Sequence, residues 1–349
     1  IGGVIAYSLG WRWAFHINIP ICALLAIATA VFVEESSDTA ARRLDPAGIA
    51  SFAASMFGLT WGLINGQAHG WTSLTAVSGF LCGAIALGVF VIAERAQERP
   101  MLDLQLFRNP RFVGAVWAMF AYAASAQVMA SMLPLFLQNG LGRSALESGF
   151  AMLPFAIAML AFPHVGRRLA RRLSATGILT FGLIVVGLGN ALTGLGAYLG
   201  VWQFVMVGMW ILGSGGGLLN GETQKAIMSV VPRERAGMAS GISTTARFSG
   251  ILLGFATLNG VLATSVRRLL AECGAPCQHT ASFADAIVAG DLPAVVSGLT
   301  GPTRDIAIGH ARLVFSFGFS TALMIAAAFA LLSSIAIYRL MTAPMSQAL

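Results

Sequence analysis

Apolar runs of about 20 residues, separated by short polar or arginine-rich breaks, recur along the whole chain. A hydrocarbon layer roughly 30 Å thick takes about 20 apolar residues of helix to cross, so each run predicts one membrane-spanning helix. The pattern gives nine full spans, near 13–33, 46–64, 73–93, 112–135, 148–165, 175–194, 201–220, 237–264 and 309–338. The second and third are the clearest. No Asp, Glu, Lys or Arg occurs between Pro46 and Ala93, and NGQAHGW at 65–71 breaks that stretch into a helical hairpin. Segments of about ten residues alternating apolar and polar, the mark of a transmembrane barrel, do not occur.

Composition agrees. Of 349 residues 57% are hydrophobic and only 10% charged, with a mean hydropathy of +0.78, whereas a soluble domain carries roughly a quarter charged residues. The chain reads as an all-α polytopic membrane protein. Its net charge of +7 does not point to nucleic acid, because no soluble basic domain carries it. The arginines instead alternate between loops. One side receives Arg42 and Arg43, then Arg95, Arg99, Arg108 and Arg111, then Arg167, Arg168, Arg171 and Arg172, then Lys225, Arg233 and Arg235, and finally Arg339. The other side receives Arg12, Arg143, Arg267, Arg268, Arg304 and Arg312. By the positive-inside rule the first side is cytoplasmic, the C-terminus ends there, and residues 265–308 form an external loop, with a short helix expected in ASFADAIVAG. Cys22 and Cys82 fall inside apolar runs and read as small hydrophobes. Cys273 and Cys277, in ECGAPC of the external loop, could form a disulfide or bind metal; an oxidising outer compartment favours the disulfide.

Catalytic chemistry is hard to find. His16, His69, His164, His279 and His310 lie near span ends or in loops, and none completes a metal or nucleophile motif. Lys225, the sole lysine, follows Gln224, so no phosphate-binding G-x-x-x-x-G-K-[ST] exists. The chain does not read as an enzyme. One ionisable residue lies deep in a span: Arg247, ten residues beyond Gly237 and about 15 Å along the helix. A charge at that depth is a functional candidate facing a cavity or partner, or else a side chain snorkelling to the surface. No Asp or Glu stands at matching depth. Gln127, Asn190, Asn220 and Asn259 are the other polar residues at depth, each able to line a cavity or to bond a neighbouring helix. Trp117, Tyr122, Gln127 and Met129 suggest a mixed surface on one span. Gly213/Gly217, Gly237/Gly241 and Gly250/Gly254 are small-xxx-small pairs, and their concentration over 208–260 predicts two tightly packed helices.

The opening IGG, followed by WRWAFHINIPI (11–21), resembles the major facilitator superfamily, and within it the fourteen-helix drug:proton antiporter branch. Gly2 and Gly3 match the last glycines of that branch's antiporter motif. Trp11, Arg12, Trp13, Phe15, Asn18 and Pro20 match W-R-W-x-F-x-x-N-x-P. LDPAG (44–48), with Asp45, stands before the expected seventh helix. ERAQERPMLDLQLFRNPRF (94–112) and VVPRERAGMASGISTTARFSGILLG (230–254) are similar to two further family patterns. GRRLARRLS (166–174) departs from the family's cytoplasmic loop: Arg171 stands at an Asp position and Ser174 at a Gly position. The conformational role the resemblance would give Arg167, Arg168 and Arg172 is therefore in question.

The resemblance implies a major facilitator fold of nine full helices plus the end of a tenth, in a chain truncated at its N-terminal side. It divides the chain into a remnant of an N-terminal bundle (1–33), an inserted two-helix hairpin (46–93) and a C-terminal six-helix bundle (108–341). It further implies proton-coupled efflux of lipophilic or cationic small molecules by alternating access across a bacterial inner or plasma membrane. No cofactor is implied beyond the proton gradient, and the implied partners are lipid, small-molecule substrate, protons and a periplasmic adaptor protein. Cavity and coupling positions would be Arg247, Gln127, Tyr122 and Asn220. An inactive membrane fragment, or an exporter of one metabolite or siderophore, are the alternatives.

Overall fold

The computed structural model describes residues 5, 8, 10, 12–32, 46–96, 104–232, 236–272, 280–291 and 302–342, and no strand occurs among them. Gly2, Gly3, Asp45, Cys273 and Cys277 lie outside the described residues. Among the described residues eight helices are long and apolar enough to cross a membrane. The first expected span is instead a single turn at Trp13–His16 followed by α1 (Asn18–Phe32), an apolar helix of 15 residues that falls short of that length.

Helices α2 (Pro46–His69) and α3 (Leu74–Ala96) form the expected hairpin, closed through Gly70 at φ +95°. Each contributes a small-xxx-small pair to the seam. A Cβ on Gly58 would lie 2.6 Å from the Gly83 nitrogen, and one on Gly79 would lie 2.7 Å from the Gly62 nitrogen. The two backbones therefore touch, which only glycine permits. The outer faces expose Phe57, Leu74 and Ile92, residues suited to lipid and not to water.

The remaining helices build one bundle. α4 spans Pro110–Gly140 and α5 Ala145–Leu169. α6 is Ala175–Leu199, α7 Trp202–Leu219 and α8 the short Glu222–Met228. α9 is Ala236–Glu272, α10 Thr280–Ala289 and α11 Pro302–Thr342. Their starts are capped by local chemistry. Asn109 Oδ1 accepts from Arg111 N ahead of Pro110 in the first turn of α4, and Ser144 with Glu147 closes a capping box on α5, satisfying amides that no helix can pair internally. Ser174, which stands at a glycine position of the pattern the loop resembles, accepts from Gly177 N at 3.2 Å and caps α6.

α4 runs through the middle. Sixty-seven per cent of its apolar window is buried, against 11% for α5, so α5 presents most of its surface outward. Around α4 the core gathers Phe112, Tyr122, Met129 and Phe136 with Leu183, Leu212, Leu262 and Phe319. The tightest seam joins α6 to α7, and its glycines repeat every seven residues. Gly182, Gly189 and Gly196 of α6 oppose Leu219, Leu212 and Val205, while Gly208 and Gly215 of α7 oppose Thr193 and Val186. A seven-residue repeat keeps one stripe facing its partner along a left-handed crossing, and alternating a glycine with a larger residue locks the two helices in register.

One expectation changes. α9 continues to Glu272 and α11 begins at Pro302, so the segment joining them is shorter than 265–308. The extension has support beyond hydropathy, since Arg267 donates to Asp285 of α10 at 2.7 Å while Ala284 and Ile287 of α10 are buried in the core. The short helix expected in ASFADAIVAG is α10 itself. The glycine-rich helices α7 and α9 each pack tightly, as their glycine content predicts. Gly213 and Gly217 press on Phe155 and Met159 of α5, Gly250 and Gly254 on Phe120 and Ala124 of α4, and Gly237 and Gly241 meet nothing.

Candidate functional site

The midpoint of α4 is not α-helical. Ala123–Gln127 forms a π turn, with Val128 N reaching back five residues to Ala123 O. Residues five apart on an α-helix lie about 140° around the axis; in a π turn they come nearly into line. Tyr122 and Gln127 are thereby brought to one side. Widening a turn disturbs the carbonyl ladder, and here a neighbour repairs it: Asn190 Nδ2 of α6 donates to Ser125 O at 3.1 Å, while Ser125 Oγ bonds to Ala121 O at 2.6 Å. Both side chains are buried. Asn190 acts as the strut of the π turn, and its own Oδ1 has no partner.

Arg247 of α9 joins this side. Its guanidinium lies within electrostatic reach of the Tyr122 hydroxyl, as does the Gln127 side chain. Close helix contact places it there, since a Cβ on Gly250, one turn along, would stand 2.6 Å from Phe120 O and 2.9 Å from Ala123 Cβ. Tyr122 is wholly buried, and neither its hydroxyl nor Gln127 Oε1 closes a hydrogen bond. Arg247 is half-buried and forms no ion pair among the described residues. Gly216 of α7 and Met159 of α5 border the tyrosine ring: a Cβ at Gly216 would stand 3.1 Å from the Met159 sulfur and 4.0 Å from Tyr122 Cε2.

Three of the four expected cavity residues thus come together, and the fourth does not. Asn220 is exposed at the C-terminal end of α7, where it precedes Gly221 at φ +93°. The expected surface of Trp117, Tyr122, Gln127 and Met129 also divides. Trp117 stacks on Phe120 at 5.3 Å and meets Phe329 edge-on at 6.0 Å, whereas Met129 is entirely buried. Arg167 and Arg168 occupy the last turn of α5, where cations suit the helix dipole, and with Arg172 they are exposed. Asn190 was the residue hardest to rank from sequence, because nothing local marks the π turn it supports. Among the described residues no three His, Cys, Asp or Glu side chains gather as a metal site.

Comparison with known proteins gives a consistent context. The family model described as the Major Facilitator Superfamily matches residues 1–255. The chain is similar to the multidrug resistance protein Stp of Mycobacterium tuberculosis, 34% identical over 75% of this chain and 49% of that protein. It is also similar to the tetracenomycin C resistance and export protein of Streptomyces glaucescens, 29% identical over 84% of this chain and 56% of that protein. With the multidrug efflux pump LfrA of Mycolicibacterium smegmatis it shares 26% identity over 94% of this chain and 64% of the pump. The chain spans about half the length of the first of these relatives and less than two thirds of the others.

Proposed function

The chain belongs to the major facilitator superfamily, and from that premise we propose that it serves in a proton-driven exporter of lipophilic small molecules. The reading places it in the fourteen-helix drug:proton antiporter branch, working by alternating access, with its arginine-rich end and C-terminus in the cytoplasm and no bound cofactor. One observation carries it. A half-buried arginine with no ion pair among the described residues, a buried tyrosine hydroxyl and an amide are gathered on one face of the bundle. Leaving such groups unpaired is costly in an apolar setting, and a polar cluster of this kind within the membrane marks a transport path. Relatives whose names denote multidrug resistance, efflux and export support the same reading.

The test is dye efflux from cells expressing the full-length protein. Export should be energised by the proton gradient and should collapse when a protonophore is added. Efflux that persists in the protonophore, or none above the empty-vector level, contradicts the proposal.

A further inference from the structure

The same three side chains differ in what they can donate and accept. Guanidinium has donors and no acceptor, the tyrosine hydroxyl has a proton to give, and the glutamine amide adds further N–H groups. Among the described residues Arg247 forms no ion pair, and the buried Tyr122 hydroxyl has the Gln127 side chain beside it. The acceptors of the cluster, Gln127 Oε1 and the Tyr122 hydroxyl oxygen, are both turned away from solvent. Donors are in excess, the charge is positive, and no carboxylate forms an ion pair with Arg247 among the described residues. In a setting of low dielectric an unbalanced cation attracts an anion strongly and repels a second cation.

We propose that Tyr122, Gln127 and Arg247 form a head-group subsite for lipophilic organic anions, taking a carboxylate or phenolate oxygen between the guanidinium and the hydroxyl. The inference rests on the export reading and narrows it, because a permanent cation gains nothing at this face. The apolar body of the ligand lies over Met159, which is partly exposed beside the buried Tyr122 ring. Gly216 leaves room for that thioether, since a side chain there would press on the Met159 sulfur. The flexible thioether adapts to bodies of different shape, so the subsite fixes charge while leaving shape loosely specified.

The test uses fluorescein and rhodamine 123, which share a xanthene core but carry opposite charge. Full-length wild-type, Arg247→Gln, Arg247→Lys and Tyr122→Phe proteins are compared by dye efflux from cells. They are also compared by fluorescein anisotropy on the purified, detergent-solubilised chain. Arg247→Gln should lower the ratio of fluorescein to rhodamine 123 efflux about tenfold and weaken fluorescein binding to a similar degree, as expected for losing one charge-assisted hydrogen bond. Arg247→Lys should recover much of the ratio, and Tyr122→Phe should fall between. An unchanged ratio in Arg247→Gln, or wild-type protein that exports rhodamine 123 and not fluorescein, overturns the anion subsite while leaving the exporter reading intact. Arg247-dependent fluorescein binding without efflux of either dye would support the subsite and sink the exporter reading instead.

Discussion

Gly189→Val should prevent stable assembly of the bundle. A Cβ at this position runs into the backbone of Leu212, whose Cα would stand 2.6 Å away, so no side-chain rotation relieves the clash. The helices α6 and α7 would have to separate, and the neighbouring contacts of Gly182, Gly196, Gly208 and Gly215 would loosen with them. Overpacking of this kind costs about 3 kcal/mol. The thermal midpoint of the full-length protein, followed by fluorescence-detected size exclusion, should fall steeply or be lost. Gly88→Ala is the matched comparison, because Gly88 is exposed and nothing lies within 4 Å of a Cβ there. Equal melting of the two variants would show that the seven-residue glycine ladder does not hold the seam.

Asn190→Leu should have a different signature. The substitution leaves the buried Ser125 carbonyl without its donor, yet it also removes an Asn Oδ1 that is itself unpartnered. The two effects offset, and polar contacts between membrane helices are worth only about 1 kcal/mol, so stability should shift by no more than that. Dye efflux should nonetheless drop about tenfold, equivalent to roughly 1.4 kcal/mol. Without its strut the π turn relaxes toward α-helix, and Gln127 rotates away from Tyr122 and Arg247. Wild-type efflux from Asn190→Leu would show that Gln127 keeps its place without this bond. A fall in efflux matched by an equally large fall in stability would point to unfolding, and not to lost register.

The spans were readable because hydrophobic length is the dominant constraint on a membrane helix, and eight of nine appear close to where the pattern put them. Their ends were less so. The last turns of α9 carry Arg267, which pairs with Asp285 of α10, a contact between segments that hydropathy does not register. Glycine spacing is visible in the sequence as four-residue pairs. Gly213 and Gly217 do approach α5, yet the governing period is seven, at Gly182, Gly189 and Gly196, and Gly237 and Gly241 approach nothing. Arg247 was conspicuous because a charge deep in an apolar run is rare. The π turn was not, because AASAQ contains neither proline nor glycine and its widened geometry is answered from a different helix, 65 residues away in sequence.

The central claim is that the face holding Tyr122, Gln127 and Arg247 lines a transport path, and side-specific labelling tests it most directly. Gln127→Cys would be made in the full-length protein with Cys22, Cys82, Cys273 and Cys277 replaced. A membrane-impermeant maleimide would then be applied to intact cells and to inverted vesicles. If the face lines the path, the introduced thiol reacts from both sides, the balance moves with the proton gradient, and a transported dye slows the reaction. A thiol that reacts from neither side, or whose reaction ignores both gradient and dye, would place the cluster in static packing and contradict the claim.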